Sequence, residues 1–275
     1  MHLVRTCSLA SGSSGNCLLI QSEQSCFLID AGVSCRRIEK ALQEQGLDPS
    51  VIQAVFVTHE HTDHIAGLST LCRRYDLPIY TNVKTYEALR PLVRGLEKIK
   101  FVPMESNTRM LLGDFSIRSF SLSHDAVDPM GFRVDTGSSV ISVLTDCGCF
   151  LESHFEAVKG SDLIYLEANY DEYQLWHGPY APHLKARISG DLGHLSNHLS
   201  GGALVRLAHA GTRHFCLSHL SETNNDPLLA FETVKQIAEM SGFEVASSLM
   251  QLKGDVRIEV SPRHTPSPWW TLKSH

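Results

Sequence analysis

Three histidines and an aspartate fall within six residues of the sequence Thr58-His59-Glu60-His61-Thr62-Asp63-His64, directly after the apolar run Ala54-Val55-Phe56-Val57. Neutral imidazole and carboxylate are the usual ligands of zinc and similar divalent ions. Core packing is a poor account of such a run. Imidazole rarely fills an apolar interior repeatedly, and four such side chains do not all find buried partners cheaply. A solvated, His-rich loop is the competing reading. The frame argues against it, because a buried-type strand precedes the run and a helical pattern containing Gly67 follows. The run is read as a metal site, and the chemistry of such a site is activation of water for hydrolysis.

Such ligands need rigid supports, and the chain offers four. Ala54 to Val57 delivers the first loop. Three more apolar strands end on a possible ligand: Phe115 to Leu122 runs to His124, Val140 to Leu144 runs to Asp146, and Phe215 to Leu217 runs to His219. Alone, His124 or His219 reads as an ordinary polar cap on a strand. Together, ligands at strand ends along one rim converge on a common point.

The remaining elements follow from pattern. His2 to Leu9, Cys17 to Gln21 and Ser25 to Asp30 read as strands, with the turn-rich Ser11-Gly12-Ser13-Ser14-Gly15-Asn16 between the first two. Helices are expected over Arg36–Gln45, Ile65–Tyr75, Val83–Val93, Phe150–Val158, Leu184–Ile188, Ser200–His209 and Pro227–Met240, the last with Leu228, Phe231, Val234 and Ile237 on one face. Further strands are expected at Pro78–Tyr80, Met110–Leu112, Gly131–Val134, Leu163–Leu166 and Val256–Val260. A single domain over residues 1–260 is expected, with 261–275 a loosely ordered, proline-containing tail. Strands in runs with helices after each half suggest two sheets covered on their outer faces by helices.

Composition sets limits. The chain has 275 residues, 43% hydrophobic and 20% charged, as in ordinary globular proteins. No apolar run approaches bilayer length, and the first residues lack a basic-then-apolar leader, so no membrane association and a cytoplasmic location are expected. The eight cysteines form no C-x-x-C pair. Cys7, Cys17, Cys26, Cys72 and Cys216 lie in or beside apolar stretches as plain thiols. The net charge of −6, from 24 basic and 30 acidic residues, argues against a general nucleic-acid coat protein. It leaves a nuclease open, since two divalent ions add roughly four positive charges where a phosphate sits.

The signature H-x-H-x-D-H, followed in order by His124, Asp146 and His219, resembles the metallo-β-lactamase superfamily over about the first 250 residues. The resemblance implies an α+β fold, a four-layer αββα sandwich, with a two-metal site at one edge. One metal would take His59, His61 and His124. The other would take Asp63, His64 and His219, with Asp146 bridging. Asp30, in Leu28-Ile29-Asp30-Ala31-Gly32, would support the metal loop without binding metal. All-N/O ligation tolerates zinc, manganese or iron.

Two close metals hold a bridging hydroxide and stabilise charge on attacking and leaving oxygens. That chemistry serves phosphodiesters, thioesters and amides alike. Subfamily elements narrow the choice. Leu166-Glu167-Ala168-Asn169 and Gly193-His194-Leu195-Ser196-Asn197 resemble those of nucleases in the superfamily, where the His protonates the leaving oxygen and the Glu orients it. His194 also reads simply as a locally bonded residue at a helix start, and Glu167 as a plain strand-end carboxylate. With Asp63, these two make up the residues implied for catalysis.

The opening Ser8 to Asn16, the Glu167 and His194 elements, and His219-Leu220-Ser221 with Asn224-Asn225 resemble the YycJ/WalJ-like branch, associated with 5′-to-3′ exonuclease activity on DNA. Tyr170 departs from that pattern, in which a His is expected after Asn169. Under this resemblance Ser13, Ser14 and Asn16, with Ser196 and Asn197, are candidate substrate contacts. The first loop reads equally as a tight turn. Arg73, Arg74, Lys185 and Arg187 are candidate backbone contacts or plain surface charges. A metal-dependent phosphodiesterase acting on nucleic acid, most of all DNA, is the leading reading. The alternatives are a small-substrate phosphodiesterase or thioesterase, an RNA-processing nuclease, and a metal-stabilised binding module. All seven ligand positions are filled, which argues against the last.

Overall fold

Short apolar runs separated by Gly- and Ser-rich turns make the first strands of the computed structural model, which describes residues 3–246 and 254–272. These strands are β1 (Val4–Ala10), β2 (Cys17–Gln21) and β3 (Cys26–Ile29). His2, where the first strand was expected to begin, lies outside the described residues. Helix α1 (Cys35–Glu44) buries Ile38 and Leu42 and stops before Gly46, whose φ of 74° favours glycine. β4 (Val55–Phe56) then leads to the His-rich loop. The single helix expected over Ile65–Tyr75 is two, α2 (Thr62–Ile65) and α3 (Leu68–Tyr75). Gly67 separates them because its amide bonds the Ala31 carbonyl at 2.8 Å. A Cβ there would meet Val33 O at 2.1 Å.

β5 (Ile79–Thr81), α4 (Val83–Leu89), β6 (Phe101–Pro103), β7 (Arg109–Leu112), β8 (Phe115–Ser121) and β9 (Met130–Asp135) come next. α4 ends before the expected Val93, and β6 was not expected. β10 (Val140–Leu144), α5 (Glu152–Val158), β11 (Leu163–Glu167), α6 (Glu172–His177), α7 (Pro182–Ser189), α8 (Asn197–His209) and β12 (His214–Ser218) follow. The chain closes with α9 (Pro227–Met240), β13 (Val245–Ala246), β14 (Val256–Val260) and β15 (Trp270–Leu272). α6 escaped the pattern because it is short; the Asp171 side chain caps it by accepting from Gln174 N.

The expected loose tail is corrected by β15. This strand pairs antiparallel with β1, Trp270 opposite Thr6, and Trp270 is buried. Ser267 bonds the backbone of Ser8 in both directions, and the Arg5 guanidinium lies 4.5 Å over the Trp269 ring. Two tryptophans supply enough apolar area to hold the segment, and the pairing covers an otherwise open strand edge. Residues 273–275 lie outside the described residues.

The contacts divide the chain into two compact units, each discontinuous in sequence. The first comprises Met1–Ser121, Ala126–Ser139 and Pro262–His275, so far as these are described. Its seven-stranded sheet has the order β15-β1-β2-β3-β4-β5-β6, antiparallel up to β3 and parallel from β3 to β6. On one face lies a core of Leu9, Leu19, Leu28, Val55 and Ile79 with Ile38 and Leu42 of α1 and Leu68 and Leu71 of α3. The other face meets the antiparallel β7-β8-β9. There Phe27 packs edge-on at 5.1 Å against both Phe56 and Phe115, and Phe56 lies 5.6 Å from Phe132. Each such aromatic is worth about 3–5 kcal/mol against alanine.

The second unit comprises Leu122–Asp125 and Val140–Ser261. Its strands run parallel in the order β10-β11-β12-β14-β13. All five residues of β11 are buried, as parallel strands covered on both faces require. Helices α8 and α9 pack closely, since a Cβ on Gly201 would meet Ile237 Cδ1 at 2.5 Å. Of the expected α9 face, Val234 is buried and Ile237 makes this contact. Ala230, Val234 and Ala238 are buried, while Leu228 is exposed, because small residues admit the neighbouring helix.

Candidate metal centre

The parallel pairing of β3 and β4 puts Asp30 beside Thr58 in the first unit. Asp30 Oδ1 accepts from Thr58 N at 2.9 Å, and Oδ2 accepts from Thr58 Oγ1 at 2.9 Å. Oδ2 also lies 2.7 Å from His64 Nδ1, and Thr58 Oγ1 lies 2.9 Å from His59 Nδ1. These acceptors draw the proton of each ring to Nδ1, which leaves Nε2 as the ligand atom. The His59 ring centre lies 4.6 Å from that of His61 and 4.2 Å from that of His64, and Asp63 Oδ2 is 3.6 Å from His64 Nε2. His59 and His64 have no solvent exposure.

The Ser/Gly loop clamps this cluster. Asn16 N donates to Asp63 O at 2.8 Å, Gly32 N to Asn16 O at 2.7 Å, and Ala31 N to His64 O at 2.9 Å. Gly32 has no substitute, because a Cβ would lie 1.7 Å from Asp63 O. The Asn16 side chain accepts from Gly12 N at 2.8 Å and lies 3.1 Å from His64 Nε2. Asn16 therefore holds the loop together. Ser13 and Ser14 are exposed, and Ser14 Oγ accepts from Arg263 at 3.2 Å.

In the second unit the neighbouring ends of β10, β11 and β12 carry Asp146, Glu167 and His219. Asp146 Oδ1 lies 3.4 Å from His219 Nε2 and 3.7 Å from His124 Nε2. His124 Nδ1 lies 2.9 Å from the Gly193 carbonyl, so its Nε2 too is the ligand atom. Burial holds the His124 imidazole below its ordinary pKa despite the pull of Asp146, which keeps it neutral. Ligand atoms of Asp146, Glu167, His194 and His219 all lie within 4.8 Å of one another.

Glu167 is fully buried. Its Oε1 accepts from His194 Nδ1 and from His219 Nδ1, both at 2.8 Å, and its Oε2 accepts from Cys147 N at 2.8 Å and Leu195 N at 3.2 Å. Burial pushes this carboxyl up, but the His194 charge and hydrogen bond, joined by the His219 bond, hold it well below the usual range. Glu167 is thus a positioning residue under both rings. The His194 side chain keeps 20% exposure.

Two of the residues expected as substrate contacts, Ser196 and Asn197, are tied into the fold. Ser196 and Asn197 have no exposure. Ser196 Oγ caps α8 by accepting from Leu199 N and donates to Glu172, while Asn197 and Asn225 bond each other at 3.0 and 2.9 Å. Tyr170 is also buried, and its carbonyl accepts from Asn197 N. Of the basic candidates, Arg74 pairs with Glu39, Lys185 donates to the carbonyls of Trp176 and Gly178, and Arg187 pairs with Asp125. Arg73 is exposed on α3.

Three residues whose roles the motif does not reveal support the ligands: Thr58, Gly193 through its carbonyl, and Asn169, whose Nδ2 donates to His219 O at 2.7 Å. The backbone adds a further feature. Asp30, Asp146 and His219 have φ of 62°, 62° and 59°, three of the five described non-glycine residues in the left-handed region. Each costs of order 1–2 kcal/mol, a strain typical of functional positions. Imidazole Nε2 and carboxylate donors, held from behind by buried acceptors, fit a divalent metal ion.

The family model for the beta-lactamase superfamily domain matches residues 26–220, and the chain belongs to this superfamily. Its fold is the metallo-β-lactamase fold, the αββα α+β sandwich expected. The solved metallo-beta-lactamase fold protein YhfI from Bacillus subtilis superposes with a TM-score of 0.73 at 16% identity, covering 99% of this chain and 100% of that one. Among curated relatives, the exodeoxyribonuclease YycJ of Bacillus anthracis is 34% identical over 240 residues, 87% of this chain and 91% of that protein. The exodeoxyribonuclease WalJ of Streptococcus pneumoniae serotype 2 (strain D39 / NCTC 7466) is 37% identical over 234 residues, 84% and 87% of the two chains. No helix among the described residues is long and apolar enough to cross a membrane.

Proposed function

We propose that this chain is a divalent-metal-dependent phosphodiesterase that removes nucleotides from DNA in the 5′-to-3′ direction. Similarity to two exodeoxyribonucleases over most of both chains supports the substrate class. The single observation that carries the chemistry is the placement of His194 and His219 on one buried carboxylate, Glu167.

By the family resemblance, His59, His61 and His124 are assigned to one metal, and Asp63, His64 and His219 to the other, with Asp146 shared. Zinc or manganese suits this donor set, with iron a third choice. Bound there, the ions supply an activated water and charge stabilisation at the phosphate. Everything else falls to the chain. Asp30 and Thr58 orient His64 and His59. Glu167 fixes His194 through Nδ1, and in the imidazolium form the ring's Nε2 carries the proton offered to the leaving oxygen. Protonating an alkoxide in this way is worth about two to four orders of magnitude in rate. The exposed Ser13 and Ser14 hydroxyls are assigned to a terminal phosphate, and the site to the cytoplasm.

Product analysis on defined ends tests this reading. With manganese, 5′-labelled duplex DNA should lose its label first as mononucleotides, while RNA of the same sequence is cut more slowly. Preferential RNA cleavage, or turnover of a small thioester with DNA left intact, overturns it.

A further inference from the structure

Three arginines stand in one row across β7-β8-β9. Arg109 lies directly opposite Arg118, and Arg118 directly opposite Arg133. Arg118 and Arg133 alternate with buried, inward-facing neighbours: Phe132 and Val134 flank Arg133, and Ile117 and Ser119 flank Arg118. The row therefore occupies the face turned away from the Phe27–Phe115 contact. Like charges in directly opposite positions repel, so the row concentrates positive charge at a cost. The whole chain is acidic, at −6, so this concentration of positive charge runs against its balance.

The row is also concave. A cavity of about 180 Å³ is lined by Arg109, Ser116, Arg118, Arg133 and Asp135. Ser116 Oγ accepts from Arg109 Nε, which fixes one guanidinium along the wall. Three guanidinium groups against one carboxylate make the lining positive. Planar guanidinium groups match phosphate oxygens in pairs.

We propose that this row is a binding site for the phosphate backbone of a nucleic-acid strand, separate from the metal ligands and used to hold the strand beyond the point of cleavage. The proposal rests on the nucleic-acid reading above. Spacing supports the occupant. Strands lie about 4.8 Å apart, so the row spans roughly 10 Å, enough to meet neighbouring phosphates along one strand. Position supports it as well. Met130 N, at the start of β9, donates to the carbonyl of Thr58 at 3.1 Å, which anchors that end of the strand to the His-rich loop. Arg133 is three residues further on, roughly 10 Å away along the strand. A strand held at the metal loop thus meets the row within a few nucleotides. Contacts of this kind position the backbone without reading sequence.

The test uses the full chain and two probes. One is a fluorescein-labelled single-stranded 20-nucleotide DNA, bound in chelator so that it is not cut. The other is bis(p-nitrophenyl) phosphate hydrolysed with manganese. The Arg118→Gln/Arg133→Gln variant, checked for an unchanged circular dichroism melt, should bind the 20-mer about tenfold more weakly. Its salt slope should fall by about one for each arginine removed, and hydrolysis of the small ester should stay at the wild-type rate. Arg118→Lys, which keeps the charge but loses the fork, should keep the slope. Unchanged affinity and slope in the double variant overturn the proposal, as does equal loss on both probes. A wild-type chain that binds the 20-mer through these arginines but cleaves neither substrate supports the row and sinks the nuclease reading instead.

Discussion

Oε1 of Glu167 lies 2.8 Å from Nδ1 of His194 and 2.8 Å from Nδ1 of His219, so one buried carboxylate oxygen orients a candidate metal ligand and the candidate acid together. The coupling predicts a compound defect. In Glu167→Gln the charge is lost, and the amide turns its NH2 either to both rings or, with its oxygen kept there, to the backbone donors of Cys147 and Leu195. Metal affinity is expected to fall 10- to 100-fold. At saturating metal, kcat on DNA should still fall by at least about 100-fold. A metal titration of the variant followed by assay at saturation separates the two losses. Full activity at saturating metal would show that Glu167 acts on His219 alone.

His194 predicts a different signature. His194→Ala should bind metal as the wild type does and lose about 10² to 10⁴ in kcat on DNA, where the leaving alkoxide needs a proton. With bis(p-nitrophenyl) phosphate, whose leaving group needs none, the loss should be less than about tenfold. Equal losses on the two substrates would remove the acid role from His194.

Asp30 is held at φ 62°, a conformation that Asn tolerates and Ala does not. Asp30→Asn should therefore fold, yet lose 10- to 100-fold in metal affinity because the charged acceptor behind His64 Nδ1 is gone. Asp30→Ala should in addition lose about 3–5 kcal/mol of stability, since Thr58 and His64 are left with buried, unmatched donors. Calorimetric metal titration and thermal melts check both. Wild-type metal affinity in the Asn variant would contradict the role.

His214 gives stability a pH dependence. Burial lowers its pKa below the ordinary value, outweighing its bond to the Asp162 carbonyl. The unfolded chain then takes up the proton first as pH falls. Stability is therefore intact above about pH 6.5 and falls as pH drops through that value towards the folded-state pKa. In His214→Gln the fall in Tm between pH 7.5 and pH 5.5 should be smaller than in the wild type. An unchanged slope assigns the dependence elsewhere.

Much of the site is legible in the sequence. His59, His61, Asp63 and His64 announce themselves by density, and His124, Asp146 and His219 by ending apolar strands. What stayed hidden depended on backbone and burial. Gly67 splits a helix because a carbonyl approaches it closely, which periodicity does not encode. Ser196 and Asn197 look like substrate groups in a motif, yet one caps a helix and the other pairs with Asn225. The tail of prolines hides a strand because only three residues of it pair with β1. The left-handed φ of Asp146 and His219 leaves no trace in the residue pattern at all.

Release of label from 5′-end-labelled duplex DNA in manganese, measured for the wild type and for His61→Ala, tests the central claim most directly. The account predicts stepwise loss from the 5′ end by the wild type, abolished by chelator, and no release by a His61→Ala protein that melts at the wild-type temperature. DNA left intact by the metal-loaded wild type, or digestion that persists in folded His61→Ala, would contradict it.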